Sequence, residues 1–246
     1  MKKLIEVKDL SFGYKDIPVL QNVDLNIFSN DYILIIGPNG GGKTTLVKLI
    51  LGIITPWSGS INFSKGVSTR LGYVPQFSSF NKSFPITLFD MVSMGCISPK
   101  SFFKRYKKED IAKTEGILEK VGLYEKRNEN INNLSGGQLQ RALIARSLVA
   151  EPAVLLLDEP TASIDMTSKM SLTDFLDGLN SRMAIVVVTH DPIPFSKSYD
   201  HIACINRDIY YHGKGELDSH VLEKVYGCPV ELLGHGIPHT ILKDHD

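Results

Sequence analysis

The chain has 246 residues, 43% of them hydrophobic and 22% charged, enough for one large domain or two modest ones with an ample core. Lys plus Arg and Asp plus Glu number 27 each, and a zero net charge argues against a nucleic-acid binder, which shows a basic excess. Cys96, Cys204 and Cys228 are scattered and form no CxxC, as expected of reduced thiols rather than a disulfide framework or a zinc site.

The first ten residues, MKKLIEVKDL, carry two lysines but no long apolar stretch, so they do not read as a signal peptide. No window reaches the run of about 18 apolar residues that a membrane helix needs, and membrane association is expected only through a partner. LIEVKDLSFGY and VLQNVDLNIF alternate polar with apolar, as half-exposed antiparallel strands do. YILII at 32–36 does not alternate. It reads as a strand covered on both faces, as do AVLLL at 153–157 and AIVVV at 184–188. In open α/β sheets, ligands gather at the carboxyl ends of such strands.

GPNGGGKTT at 37–45 follows the first buried run and opens a helix, TTLVKLILGI, which is the context that gives a G-x-x-x-x-G-K-[ST] pattern its meaning. Glycines let the backbone N–H groups converge on phosphate oxygens. Lys43 adds a point charge at the β- and γ-phosphates, and Thr44 offers a hydroxyl to Mg²⁺. Next, LGYVPQ puts Gln76 where a short strand gives way to a stretch lacking strand runs. Its carbonyl oxygen can ligate Mg²⁺, or it can be a hinge residue with no ligand. From about 77 to 133 the chain reads as a helical insertion, with helical spacing at Ile111, Ile117, Leu118 and Val121.

NLSGGQLQR at 133–141 supplies Ser135 as an N-cap, with Gly136 and Gly137 leaving helix-start N–H groups uncovered. The following segment is apolar around most of its circumference, so a buried helix with a rigid, bare start is expected, a second anion site. The competing reading is an ordinary N-cap with a flexible lead-in. AVLLLDEP then ends a strand in two carboxylates. Asp158 can hold the Mg²⁺ shell through water, and Glu159 can polarise an attacking water. VVVTHD places His190 past the third buried strand, where it can contact the γ-phosphate. After about Gly213 come DSHVLEKVYG, which reads as a short helix, and a Gly/Pro-punctuated tail.

These motifs, in this order and over essentially the whole chain, resemble the ATP-binding subunits of ABC transporters. The phosphate loop is Gly37, Pro38, Asn39, Gly40, Gly41, Gly42, Lys43, Thr44 and Thr45. Gln76 matches the Q-loop, LSGGQ at 134–138 the family signature (Ser135, Gly136, Gly137, Gln138), and Asp158 and Glu159 the Walker B pair. ASID at 162–165 matches the D-loop and His190 the switch histidine. Tyr14 matches the aromatic that stacks on adenine, although a core tyrosine is the alternative. Gly41 stands where the family often has serine, and Ile164 where leucine is commoner. The resemblance implies an α/β P-loop ATPase core with a mainly parallel sheet, an N-terminal antiparallel β subdomain, a helical subdomain inserted at about 77–145 and a C-terminal extension at about 213–246.

It further implies ATP and Mg²⁺ as cofactors, with Glu159, His190 and Lys43 catalytic and with Thr44, Gln76 and Asp158 about the Mg²⁺. Two copies would sandwich two ATPs head to tail, each signature helix capping the nucleotide of the other copy. A membrane permease would dock near Gln76 and the helical insertion, with the chain peripheral on the cytoplasmic face, and a secreted metal-binding protein would act indirectly. SFPITLFDMVSMG at 83–95 and VYGCPVELLGHGIPHTIL at 225–242 resemble the branch serving zinc and manganese uptake. The alternatives are another cargo, or a soluble ABC ATPase such as those of iron–sulfur assembly. A non-hydrolysing nucleotide sensor is disfavoured because Glu159 and His190 are present. Cys228, His235, His239 and His245 raise a tail metal sensor, against a packed or frayed terminus. KSFFKRYKK at 100–108 reads as a solvated face.

Overall fold

The computed structural model describes residues 1–76, 85–97, 106–162, 164–195, 198–213, 230–234 and 238–242. Strands β1 (Lys3–Tyr14) and β2 (Ile17–Phe28) form a hairpin whose turn puts Lys15 at φ 55, as tight two-residue turns require. After β3 (Tyr32–Ile36) and helix α1 (Lys43–Ile50), β4 (Ser58–Phe63) pairs antiparallel with β1, closing a three-stranded sheet in the order β2-β1-β4. Of these, β1 and β2 are the alternating segments of the sequence, with one face buried on the core.

The second sheet uses β3, β5 (Leu71–Val74), β6 (Val154–Asp158), β7 (Ala184–Thr189), β8 (His201–Asn206) and β9 (Asp208–Gly213). Their order is β5-β6-β7-β3-β8-β9, parallel except for β9 against β8. The three non-alternating runs are its central strands, buried at every residue. Alternate residues of β3 explain why. Leu34 and Ile36 join one core cluster with the helices of the insertion, and Ile33 and Ile35 join another with β1, β2 and α1. A strand packed on two faces has no polar side to show.

The insertion carries α2 (Leu88–Ser93), α3 (Lys108–Lys120) and α4 (Gly136–Leu148), with short 3-10 turns between them. Helix α5 (Met166–Asn180) then links β6 to β7. Thr87 caps α2 by accepting from the Asp90 N–H at 3.1 Å, and Ile111 is exposed while Leu118 is fully buried, so the helical spacing of α3 serves one face. Strands β10 (Val230–Gly234) and β11 (Pro238–Leu242) form an antiparallel hairpin in which Leu233 pairs with His239. That hairpin was not expected from sequence. The helix expected at 218–227 and residues 100–105 of the basic stretch at 100–108 lie outside the described residues.

Candidate active site

The carboxyl edge of the parallel sheet gathers most of the candidate residues. Ile36 pairs with Thr189, Asp158 with Val188, and Val74 with Leu157, so the residues leaving β3, β7, β6 and β5 emerge side by side. The loop from Gly37 to Gly42 leaves β3 and turns into α1, whose N-cap Gly42 has φ 101, a conformation any side chain would strain. Two neighbours press on this loop. A Cβ on Gly37 would lie 2.0 Å from the Ile205 carbonyl oxygen, and one on Gly42 would lie 2.4 Å from Leu20 Cδ2. The Arg207 N–H, in the β8–β9 turn, donates to the Gly41 oxygen at 3.1 Å. Gly41 is itself tight, its Cβ position being 3.0 Å from that Ile205 oxygen, which accounts for glycine where serine is commoner.

Lys43 is 7% exposed and folds back across the loop, its Nζ donating to the Gly37 oxygen at 2.8 Å and the Pro38 oxygen at 3.0 Å. Burial lowers the pKa of its ammonium from the ordinary value, and the nearby Glu159 and Asp158 carboxylates push the other way. Both carbonyls are weak competitors for a cation that an incoming phosphate can satisfy with full charge. Thr44 Oγ1 donates to Asp158 Oδ1 at 3.1 Å. Burial raises the Asp158 carboxyl above its usual range, the Thr44 hydrogen bond lowers it, Glu159 raises it and Lys43 lowers it. On the neighbouring strand, burial foremost pushes the Tyr73 phenol up to about 12, with the Asp158 carboxylate adding to the shift. A hydroxyl and a carboxylate this close are a hard-oxygen donor pair, the type that Mg²⁺ takes with retained water, so these residues fit that ion. Thr45 is buried in the first turn of α1, and the positions of Asn39 and Gly40 flank open space, with nothing within 4 Å of a Cβ on Gly40.

Glu159 follows β6 with φ 51, an uncommon backbone for a glutamate, held by its N–H on the Val188 oxygen at 2.8 Å. Its Oε2 is 2.8 Å from His190 Nδ1 and 3.4 Å from Thr189 Oγ1. The His190 side chain is 53% exposed while that of Glu159 is 9%, so the pair reaches from the sheet edge to the surface. Such a pair can orient a water and hold its proton. Thr189 went unnoticed in the sequence, although a threonine beside the histidine of THD was there to be read.

Gln76 is exposed, two residues beyond the end of β5. Tyr14 is 47% exposed at the end of β1, its ring edge-on to Phe12 at 5.1 Å, so it is not a core tyrosine. At the start of α4 Ser135 is the N-cap, as expected, and Gln138 adds a reciprocal bond that was not. Ser135 Oγ accepts from the Gln138 N–H at 3.3 Å, and Gln138 Oε1 accepts from the Ser135 N–H at 3.0 Å. This is a reciprocal capping box, and it leaves the Gly136 and Gly137 N–H groups as the ones open to a ligand. A Cβ on Gly137 would lie 2.8 Å from Ser168 Oγ, so α4 and α5 touch there. The body of α4 is buried as expected, Gln140 included. Among the described residues, no hydrogen bond or ion pair joins Ser135, Gly136, Gly137 or Gln138 to the phosphate loop.

A family profile described as "ABC transporter" matches residues 20–162. The "High-affinity zinc uptake system ATP-binding protein ZnuC" of Bacillus subtilis is 39% identical over 211 residues, 83% of this chain and 91% of its own length. The "Zinc uptake system ATP-binding protein ZurA" of Listeria monocytogenes is 35% identical over 231 residues, 90% of each chain. Among solved structures, an inward-facing ABC transporter described as of the metal-chelate type superposes with a TM-score of 0.85 at 28% identity, over 99% of this chain and 98% of the other.

Proposed function

The chain belongs to the ABC transporter family, and we propose that within it the chain is the motor subunit of an importer for a divalent metal ion, zinc or manganese, working through a separate membrane permease. It is an ATP-binding and ATP-hydrolysing subunit, with ATP and Mg²⁺ as its nucleotide and ion. Two zinc uptake subunits among its relatives support the cargo class, and manganese rests on the likeness of 83–95 and 225–242 to that branch. Among the described residues no helix is long and apolar enough to cross a membrane. A peripheral position on the cytoplasmic face, held by the permease, fits that observation. A secreted metal-binding protein would deliver cargo to the permease.

The observation that carries the catalytic reading is the alignment of two pairs at one sheet edge, Thr44 with Asp158 and His190 with Glu159. Lys43 exchanges its two carbonyl partners for the β- and γ-phosphates and draws charge toward the leaving oxygen. Thr44, Gln76 and, through water, Asp158 would hold Mg²⁺, which would supply Lewis-acid neutralisation of the phosphate oxygens. Glu159 orients the attacking water and receives its proton. His190 fixes Glu159 Oε2 and reaches the γ-phosphate from its exposed side. Tyr14 offers its free face to adenine.

The half-made character of this site supports a dimer. The signature residues do not bond the phosphate loop of their own chain, and the Gly136 and Gly137 N–H groups are free to cap the nucleotide of a second copy in a head-to-tail sandwich. The inserted helical subdomain at about 77–145 would carry the signature and receive the permease, with the extension at about 213–246 beyond the core. Of the tail residues raised as a metal sensor, Cys228, His235 and His245 lie outside the described residues, and His239 falls in β11. The test of cargo is uptake by vesicles holding this chain and its cognate permease. ATP-driven accumulation of Zn²⁺ or Mn²⁺ is expected, and accumulation of neither overturns the cargo assignment.

A further inference from the structure

The turn after His190 is tied to the first turn of α5 by one partly buried ion pair. Lys169 Nζ lies 2.9 Å from Asp191 Oδ2, with side chains 22% and 30% exposed. Each partner is rigid with a different part of the machinery. On one side, Asp165 caps α5: its Oδ2 accepts from the Ser168 N–H at 3.0 Å, its Oδ1 from the Ser168 hydroxyl at 2.6 Å, and its backbone oxygen from the Lys169 N–H at 2.9 Å. Lys169 therefore moves with Asp165, at the start of α5.

On the other side, the Asp191 N–H donates to Thr189 Oγ1 at 3.0 Å, Thr189 Oγ1 lies 3.1 Å from the Asp191 oxygen, and Asp191 Oδ1 accepts from the Ile193 N–H at 3.3 Å. Asp191 therefore moves with Thr189 and His190, and both of these touch Glu159 Oε2. Ion pairs this exposed contribute little to stability. What this one supplies is a fixed distance between the loop before α5 and the residues that hold the catalytic carboxylate.

We propose that Lys169 is a positioning residue, which transmits engagement of the Asp165 end of α5 by a second copy of the chain to the His190–Glu159 pair. The inference rests on the sandwich reading above: Gly137 of the signature lies against Ser168, which Asp165 caps, so the start of α5 sits beside the surface that would meet the second copy. Without the link, nucleotide still binds and the copies still meet, but closure no longer sets the geometry of Glu159.

The test is steady-state ATP hydrolysis by the purified full chain. For Lys169→Met, kcat is expected to fall about five- to tenfold, in the range of typical coupling between sites, with KM for ATP within about twofold and the Hill coefficient moving toward one. Lys169→Arg should restore all three, and so should the exchanged pair Lys169→Asp with Asp191→Lys. The thermal midpoint of each should stay within about 3 °C of the parent. An unchanged kcat and Hill coefficient in Lys169→Met overturns the proposal. So does a loss that neither Lys169→Arg nor the exchanged pair repairs. Sedimentation of Glu159→Gln with ATP separates the layers: a dimer there beside an unaffected Lys169→Met sinks the link alone, whereas a monomer overturns the sandwich and the link with it.

Discussion

His190 Nδ1 sits 2.8 Å from Glu159 Oε2, joining the ends of two neighbouring parallel strands through side chains rather than through the sheet. If these two act as one unit, their losses do not add. Glu159→Gln is expected to retain ATP binding and to lose hydrolysis by about 10²–10⁴-fold, the usual worth of a general base. Adding His190→Ala should slow it by no more than about threefold further. Single-turnover rates of the two singles and the double check this; fully multiplicative losses would separate the two roles.

Gly37 and Gly40 distinguish contact from conformation. A methyl on Gly37 meets the Ile205 carbonyl at 2.0 Å, and backbone cannot rotate aside, so Gly37→Ala should cost about 1–3 kcal/mol and displace the loop from the β8–β9 turn. Gly40→Ala meets open space and is opposed only by its φ of 81, at about 1 kcal/mol. Urea midpoints and ATP affinities of the two variants should therefore differ in the same order.

Asp158 predicts the acid side of the pH profile. Its carboxyl is raised above the ordinary value, chiefly by burial, so it binds a proton more tightly folded than unfolded. The apo chain therefore gains stability from this group as pH falls through the raised pKa, while the charged form needed near Mg²⁺ is lost over the same interval. The Mg²⁺ concentration for half-maximal hydrolysis should rise with acidification. Asp158→Asn should abolish that slope, weaken Mg²⁺-dependent turnover and leave the apo chain at least as stable at neutral pH. Thermal melts without nucleotide across pH check the sign.

Lys43→Met removes a buried ammonium whose pKa is lowered by desolvation, together with its two bonds to loop carbonyls. These effects oppose one another, and the apo melting temperature should move by less than about 4 °C. ATP affinity should fall at least about 100-fold, since a buried charge partner of phosphate is lost. Isothermal titration reads the second and calorimetry the first.

Those residues were legible in the sequence where the physics is local or where a strand is buried on both faces. YILII had to be an inner strand because no residue of it could face water, and β3 carries its halves into two separate cores. The capping box was equally readable as Ser135 with Gln138 three residues on, yet the glycines between them drew the reading toward a bare helix start. What stayed hidden depends on distant chain. Nothing near Gly37 foretells the Ile205 carbonyl, and no motif pairs Lys169 with Asp191. The β10–β11 hairpin escaped because a segment broken by glycine and proline has no clean period.

The central claim is that one copy's Ser135 end serves the nucleotide on the other copy's Lys43 loop. It is tested most directly by mixing two dead proteins, Lys43→Ala and Ser135→Arg, and measuring ATP hydrolysis. Each alone spoils both composite sites. A mixed pair concentrates both defects in one site and leaves the other intact, so an equal mixture should regain about a quarter of parental activity. No recovery at any ratio, with both proteins folded and pairing, would contradict the account.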